Sequence, residues 1–133
     1  DRLYAGSDLL LRIAEAHNRL GFPVEAARIY QSVIRDPQAD KLVEPALVGL
    51  GHSYLEQRDP QAARAVFERY RLQYPLGRLG AEAVVGMLTA FYQEGNFSGL
   101  IKLGRQWLQH HPREGQRTAV LVKVGNAQAL SKR

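Results

Sequence analysis

The sequence predicts an all-α fold, an array of antiparallel helix pairs stacked one on the next. Three observations carry that expectation. Ala14, Gly51, Leu88 and Gly125 are each 37 residues apart, and so are Ile13, Leu50, Met87 and Val124. Within each unit apolar residues fall three and four apart, the spacing that gives a helix one buried and one wet face. Between these runs stand residues that start and stop helices: Gly21-Phe22-Pro23, Asp59-Pro60 and Gly95-Asn96-Phe97 inside the units, and Pro37, Pro75 and Pro112 at their ends.

The elements follow in order. Helices are expected over about 6–20, 24–35, 43–57, 60–73, 80–93, 97–110 and 117–130. Asp59-Pro60 combines an acceptor side chain at the cap with Pro at the first helical position. Pro37, Pro75 and Pro112 end the second helix of each pair, because the residue before Pro avoids the helical region. In the second pair Leu47, Leu50, Tyr54 and Leu55 share one side of the first helix, and Val66, Phe67 and Tyr70 one side of the second. Gly51 and Ala63 are small where the two helices are expected to cross closely. Such a pair cannot bury its apolar face alone, so neighbours must stack. The chain divides into one domain with units over about 6–41, 42–79 and 80–116 and a half unit over 117–133.

The strongest unit reads Leu47-x2-Leu50-Gly51-x2-Tyr54, then Ala63-x3-Phe67, then Pro75. It resembles the tetratricopeptide repeat, with Leu where that family usually has Trp. The same frame fits Leu10-x2-Ile13-Ala14-x2-His17, Ala26-x3-Tyr30 and Pro37, and more loosely Val84-x2-Met87-Leu88-x2-Phe91, Leu100-x3-Gly104 and Pro112. Leu88, Leu100 and Gly104 depart from the small, small and aromatic residues of the pattern. The resemblance implies a right-handed α-solenoid of about three and a half repeats, with the first helices lining a concave groove. Carried over position by position, it places Leu11, Glu15, Asn18 and Arg19, then Val48, His52, Leu55 and Glu56, then Val85, Thr89, Tyr92 and Gln93, and finally Val122 and Asn126 toward that groove. A wall of this composition suits a protein or peptide partner.

Composition narrows the function classes. The chain has 133 residues, 45% hydrophobic and 23% charged, enough for one domain with a real core. Its apolar stretches, Leu9-Leu10-Leu11 and Ala83 to Leu88, are too short to span a membrane. The absence of an initiator Met leads to the expectation that the chain is a piece of a longer protein. The net charge is +5, with its densest groups at Arg64-Arg69-Arg71 and Lys132-Arg133. Neither is a run of five or six like charges, so nucleic acid is not the expected partner. With no cysteine there is neither disulfide nor thiolate chemistry.

No catalytic constellation is legible, and the chain is read as a non-enzyme without cofactor or metal. Gly77-x2-Gly80 lacks the lysine and the strand of a phosphate loop. His17, His52, His110 and His111 have no carboxylate at ligand spacing. His17 takes the place of Tyr54 and Phe91 and is read as a packed core histidine. Tyr4, Phe22, Phe67, Tyr70, Tyr74, Phe97 and Trp107 are read as helix-contact residues, Asp36 and Asp59 as turn and cap residues, and Arg64 and Arg69 as a solvated face.

Two further readings concern biology. Repeats that hold acidic chaperone C-termini use Lys followed four residues later by Asn. The matching pairs here, Leu11/Glu15, Val48/His52, Val85/Thr89 and Val122/Asn126, contain none. The run Phe67-Glu68-Arg69-Tyr70-Arg71-Leu72-Gln73-Tyr74-Pro75 and then Tyr92-Gln93-Glu94-Gly95-Asn96-Phe97 resembles repeats of bacterial envelope proteins, including outer-membrane assembly, Tol-Pal-associated and exopolysaccharide-export scaffolds. Gln109-His110-His111-Pro112 departs from their aromatic-Pro step. The resulting expectation is an interaction scaffold in the periplasm or cell envelope, with a cytoplasmic location as the alternative. An anionic polymer such as an exopolysaccharide is the alternative ligand. Self-association through the half repeat at Thr118 to Leu130 is a further expectation.

Overall fold

The computed structural model describes residues 2–111 and 115–132, with side chains from residue 6 onward. Pro112 and Arg133, and the side chain of Tyr4, lie outside the described residues. The fold is all-helical: α1 (Arg2–Leu20), α2 (Pro23–Arg35), α3 (Val43–Glu56), α4 (Pro60–Gln73), α5 (Gly80–Glu94), α6 (Phe97–His110) and α7 (Arg117–Ser131). The expected ends agree within one residue except at the start of α1, which begins four residues earlier, and a 3-10 turn over Asp40–Leu42 precedes α3.

Local chemistry sets the helix ends. The Asp59 carboxylate accepts from the Ala62 N–H at 3.3 Å, and the Asn96 side chain accepts from the Gly99 N–H at 2.9 Å. Each satisfies a backbone donor that has no partner within its helix. Between the helices of each pair the chain passes through one left-handed residue. Gly21 and Gly95 do this with φ of 87° and 74°, and Arg58, midway between them in the repeat, does it with φ of 60°. A Cβ disfavours that conformation.

Packing is built on a ring set against glycine. Phe67 of α4 is fully buried, and a methyl group added at Gly51 of α3 or at Gly86 of α5 would overlap its ring. The expected close approach at Gly51 is therefore to Phe67 rather than to Ala63. Tyr30 sits against Gly49 in the same way. In the third pair the arrangement inverts. Gly104 stands where Tyr30 and Phe67 stand, Leu88 stands where Gly51 does, and Val124 fills the space beside Gly104. Leu88 and Leu100 are fully buried with Trp107, Val120, Val124 and Ala127. The space beside Gly104 is thus closed from α7 rather than by a ring of α6.

Polar ties close the turns. The Tyr70 hydroxyl donates to Glu44 at 2.6 Å and accepts from the Leu79 N–H at 2.9 Å, bridging α3, α4 and the turn before α5. Burial, then the Glu44 bond, push that hydroxyl up to about 12. Ser7 donates to Asp36, holding its carboxyl below the usual range with help from the Gln38 N–H.

Three readings need correction. His17 is only half-buried: its Nδ1 lies 2.9 Å from the Ile13 carbonyl and its ring meets Phe22 edge-on, with no described helix before α1 to cover it. Phe22 is 53% exposed rather than a packed contact. Arg64 is not a solvated face. It forms a two-pronged pair with Glu94 at 2.5 and 3.0 Å and lies 5.0 Å over the Phe91 ring, joining α4 to α5.

Replacing Arg58 by Gly should stabilise the chain by about 1 kcal/mol, since it relieves the left-handed strain without touching a contact. A urea midpoint that falls, or does not move, would show that the turn is not strained.

Candidate functional site

Each first helix touches the next first helix, α1 to α3, α3 to α5 and α5 to α7, whereas α2, α4 and α6 do not reach one another by the same measure. A stack held closer along one side curves toward that side. The first helices therefore form the inner wall of the curve, as the sequence reading expected.

Between α1, α3 and α5 this wall carries a cleft of about 600 Å³. Six of the expected residues line it: Glu15, Asn18, Arg19, Val48, His52 and Glu56. They converge because α1 and α3 run side by side in register, 37 residues apart. The other expected residues are not part of this cleft. Thr89 donates to the Val85 carbonyl at 3.0 Å within its own helix, and Gln93 donates to the Leu55 carbonyl at 3.2 Å. Tyr92 is half-exposed and meets Phe97 edge-on at 5.8 Å. Val122 and Asn126 are exposed on α7.

Leu11, Val48 and Leu55 are buried; Leu11 and Leu55 are not groove side chains, a correction that does not extend to Val48. The position shared by Leu11, Val48, Val85 and Val122 joins each first helix to the following one. Leu11 clusters with Ala46 and Leu50, Val48 with Ala83 and Met87, and Val85 packs against the Val120 and Val124 cluster. Val122 is 55% exposed because no described helix follows α7. Leu55 clusters with Ala63 and Phe67, so its side chain belongs to the helix-pair core. Val48 remains at the floor of the cleft.

The electrostatics of the cleft are mixed. Glu15, Glu56 and Glu82 face Arg19, Arg78 and His52. His52 Nε2 lies 3.2 Å from a Glu82 oxygen, and its ring meets Phe67 edge-on at 5.4 Å. The His52 hydrogen bond lowers the Glu82 carboxyl from its ordinary value, against the opposing effect of burial. Asn18 donates to the Gly49 carbonyl at 3.3 Å and accepts from Ser53 at 2.9 Å, so its amide fixes α1 to α3. Glu15, Arg19, Glu56 and Arg78 at the rim have no side-chain hydrogen bond among the described residues. This arrangement suits the polar and charged groups of an extended peptide.

Arg78, Leu79, Glu82 and Pro45 were missed by sequence reasoning. Pro45 and Glu82 are 37 residues apart in the first turns of α3 and α5, so the register carried the signal for them. Arg78 lies in a turn, where helical register says nothing. Among the described residues no group of three His, Asp or Glu side chains is placed to hold a metal ion. His110 and His111 bond to the carbonyls of Gln106 and Trp107 in their own helix, and the His111 ring stacks on Trp107 at 4.8 Å. No helix among the described residues is long and apolar enough to cross a membrane.

Residues 45–76 match the sequence-family model described as tetratricopeptide repeat, a stretch that spans most of α3, all of α4 and the turn between them. No curated protein matches the chain. Repeats of this family generally mediate protein–protein interaction and are typically non-catalytic. The match on the second helix pair, in register with pairs before and after it, supports the tetratricopeptide repeat family for this chain, whose fold is an all-helical solenoid of that kind.

Proposed function

We propose that the chain is a non-catalytic scaffold that holds an extended segment of a partner protein along its concave wall, within a bacterial envelope or secretion complex. The cleft between α1, α3 and α5 carries this reading, because it gathers six of the residues that the repeat resemblance places toward the groove. The envelope setting rests on the Tyr74-Pro75 step and the unit length of 37 residues, which resemble envelope repeats. A second reading, binding of an anionic polymer, draws on charge placement. Residues 95–133 hold seven Lys and Arg and one acidic residue, while residues 1–94 hold eleven and twelve.

A photocrosslinker placed at His52, and separately at Tyr92, in the native cell tests the scaffold. The expected result is one envelope protein captured from His52, with capture lost on replacing Glu15 and Glu56 by Lys. Capture of a cytoplasmic protein would remove the envelope setting. No capture from either site, with retention of the chain on a polyuronate column, would turn the reading to the polymer.

Self-association through α7 completes the proposal. Leu121 and Val122 are 47% and 55% exposed, and space beside Gly125 is open. Sedimentation velocity should show a dimer that Val122→Asp converts to monomer. A monomer at all concentrations tested would dismiss this part.

A further inference from the structure

Curvature has a consequence on the outer side of the stack. Where the first helices pack together and the second helices splay, a wedge opens between adjacent second helices. In the wedge between α2 and α4 the chain fills the space itself. The 3-10 turn carries Ala39 and Leu42 into the core, both buried, and the Glu44 carboxylate takes the Tyr70 hydroxyl. One repeat later, between α4 and α6, Leu79 keeps the place of Leu42, but the other two fillers are gone. Leu76 stands at the position of Ala39 and is 99% exposed. Ala81 stands at the position of Glu44 and offers no acceptor to Trp107, which takes the place of Tyr70. A cleft of about 650 Å³ results.

The lining of this cleft is apolar and basic together. Leu72, 75% exposed, and Leu76 stand out from its edge, and Val84 and Trp107 lie within it. Arg71, Arg78 and His111 are its basic groups. Glu68 is the one carboxylate among the described lining residues, and Arg71 lies 3.5 Å from it. The excess of basic residues over 95–133, which include α6, strengthens the pull on an acidic ligand approaching from that end.

We infer that this cleft, which meets the concave one only at Arg78, is a second docking site for an acidic segment of a partner protein that carries a bulky apolar side chain. Carboxylates of the segment face Arg71 and Arg78. Its apolar side chain covers Leu72 and Leu76 beside Trp107, removing from water two leucines that the fold leaves exposed. Arg over Lys at both cationic positions suits a carboxylate, which the guanidinium fork can grip with two hydrogen bonds.

Trp107 is the one tryptophan in the chain, so its fluorescence reads the cleft directly. The probe is the acetylated, amidated peptide ELEFELE, titrated into the whole chain beside its counterpart KLKFKLK. The expected result is a saturable change in Trp107 emission with the acidic peptide alone, and amide shifts in NMR spectra centred on Leu72, Leu76 and Arg78. The dissociation constant should rise about tenfold in Leu76→Ser and in Arg78→Glu, and again as salt rises from about 50 to about 500 mM. Because Arg78 also borders the concave cleft, Leu76→Ser is the decisive variant, and Glu15→Lys with Glu56→Lys should leave the titration unchanged. No saturable change, equal binding of the basic peptide, or indifference to Leu76→Ser would each overturn the inference. A polyuronate oligomer that reproduces the change while the peptide does not would overturn it in favour of a polymer site.

Discussion

The structure depends on one fitted contact, the Phe67 ring held between Gly51 and Gly86. The ring comes from the second helix of its pair, and the two glycines come from the first helices on either side. One side chain therefore sets the spacing within a repeat and between repeats at once. Full burial of a phenylalanine stabilises by roughly 1.5–3 kcal/mol, but its geometric effect is larger. By letting α3 and α5 close on the ring, the glycines bring the first helices into mutual contact and give the stack its inner wall. The groove is a consequence of that approach, and so is the wedge that opens on the far side between α4 and α6.

Most of this was legible in the sequence, since one 37-residue period fixes helix boundaries, faces and neighbours together. Glu15, Asn18, Arg19, Val48, His52 and Glu56, which the resemblance placed toward the groove, line one cleft because helices one period apart lie side by side. Register failed where a residue's surroundings come from a different element. Leu11 and Leu55 are on the expected helices, yet their side chains serve the contact to the next helix and to the pair's own core. Arg64 looks like an ordinary surface arginine until Glu94 and Phe91, thirty and twenty-seven residues away, are brought beside it. Arg78 lies in a turn, whose path no periodicity describes. Leu88 and Gly104 read as two faults in the pattern, and only packing shows that Val124 of the next helix takes the space beside Gly104.

The two clefts divide the work that a scaffold can do. The inner one is mixed in charge and floored by the core, with its polar groups partly committed to His52–Glu82 and to the Asn18 clamp. Selectivity there would come from matching several charges of both signs along an extended chain. The outer one pairs exposed leucines with arginines and lies where the repeat departs from its own predecessor. Two faces of such different character suit different segments, with Arg78 common to both clefts.

The most direct test of this account exchanges the ring and its socket. Gly51→Leu and Phe67→Ala, made singly and together, place in the second repeat a large and a small residue where Leu88 and Gly104 stand in the third. The account predicts that each single change destabilises the chain, and that the double variant recovers about 1 kcal/mol or more of the summed loss in urea unfolding. Losses that simply add would contradict it, because the ring and the glycine would then not be the same contact.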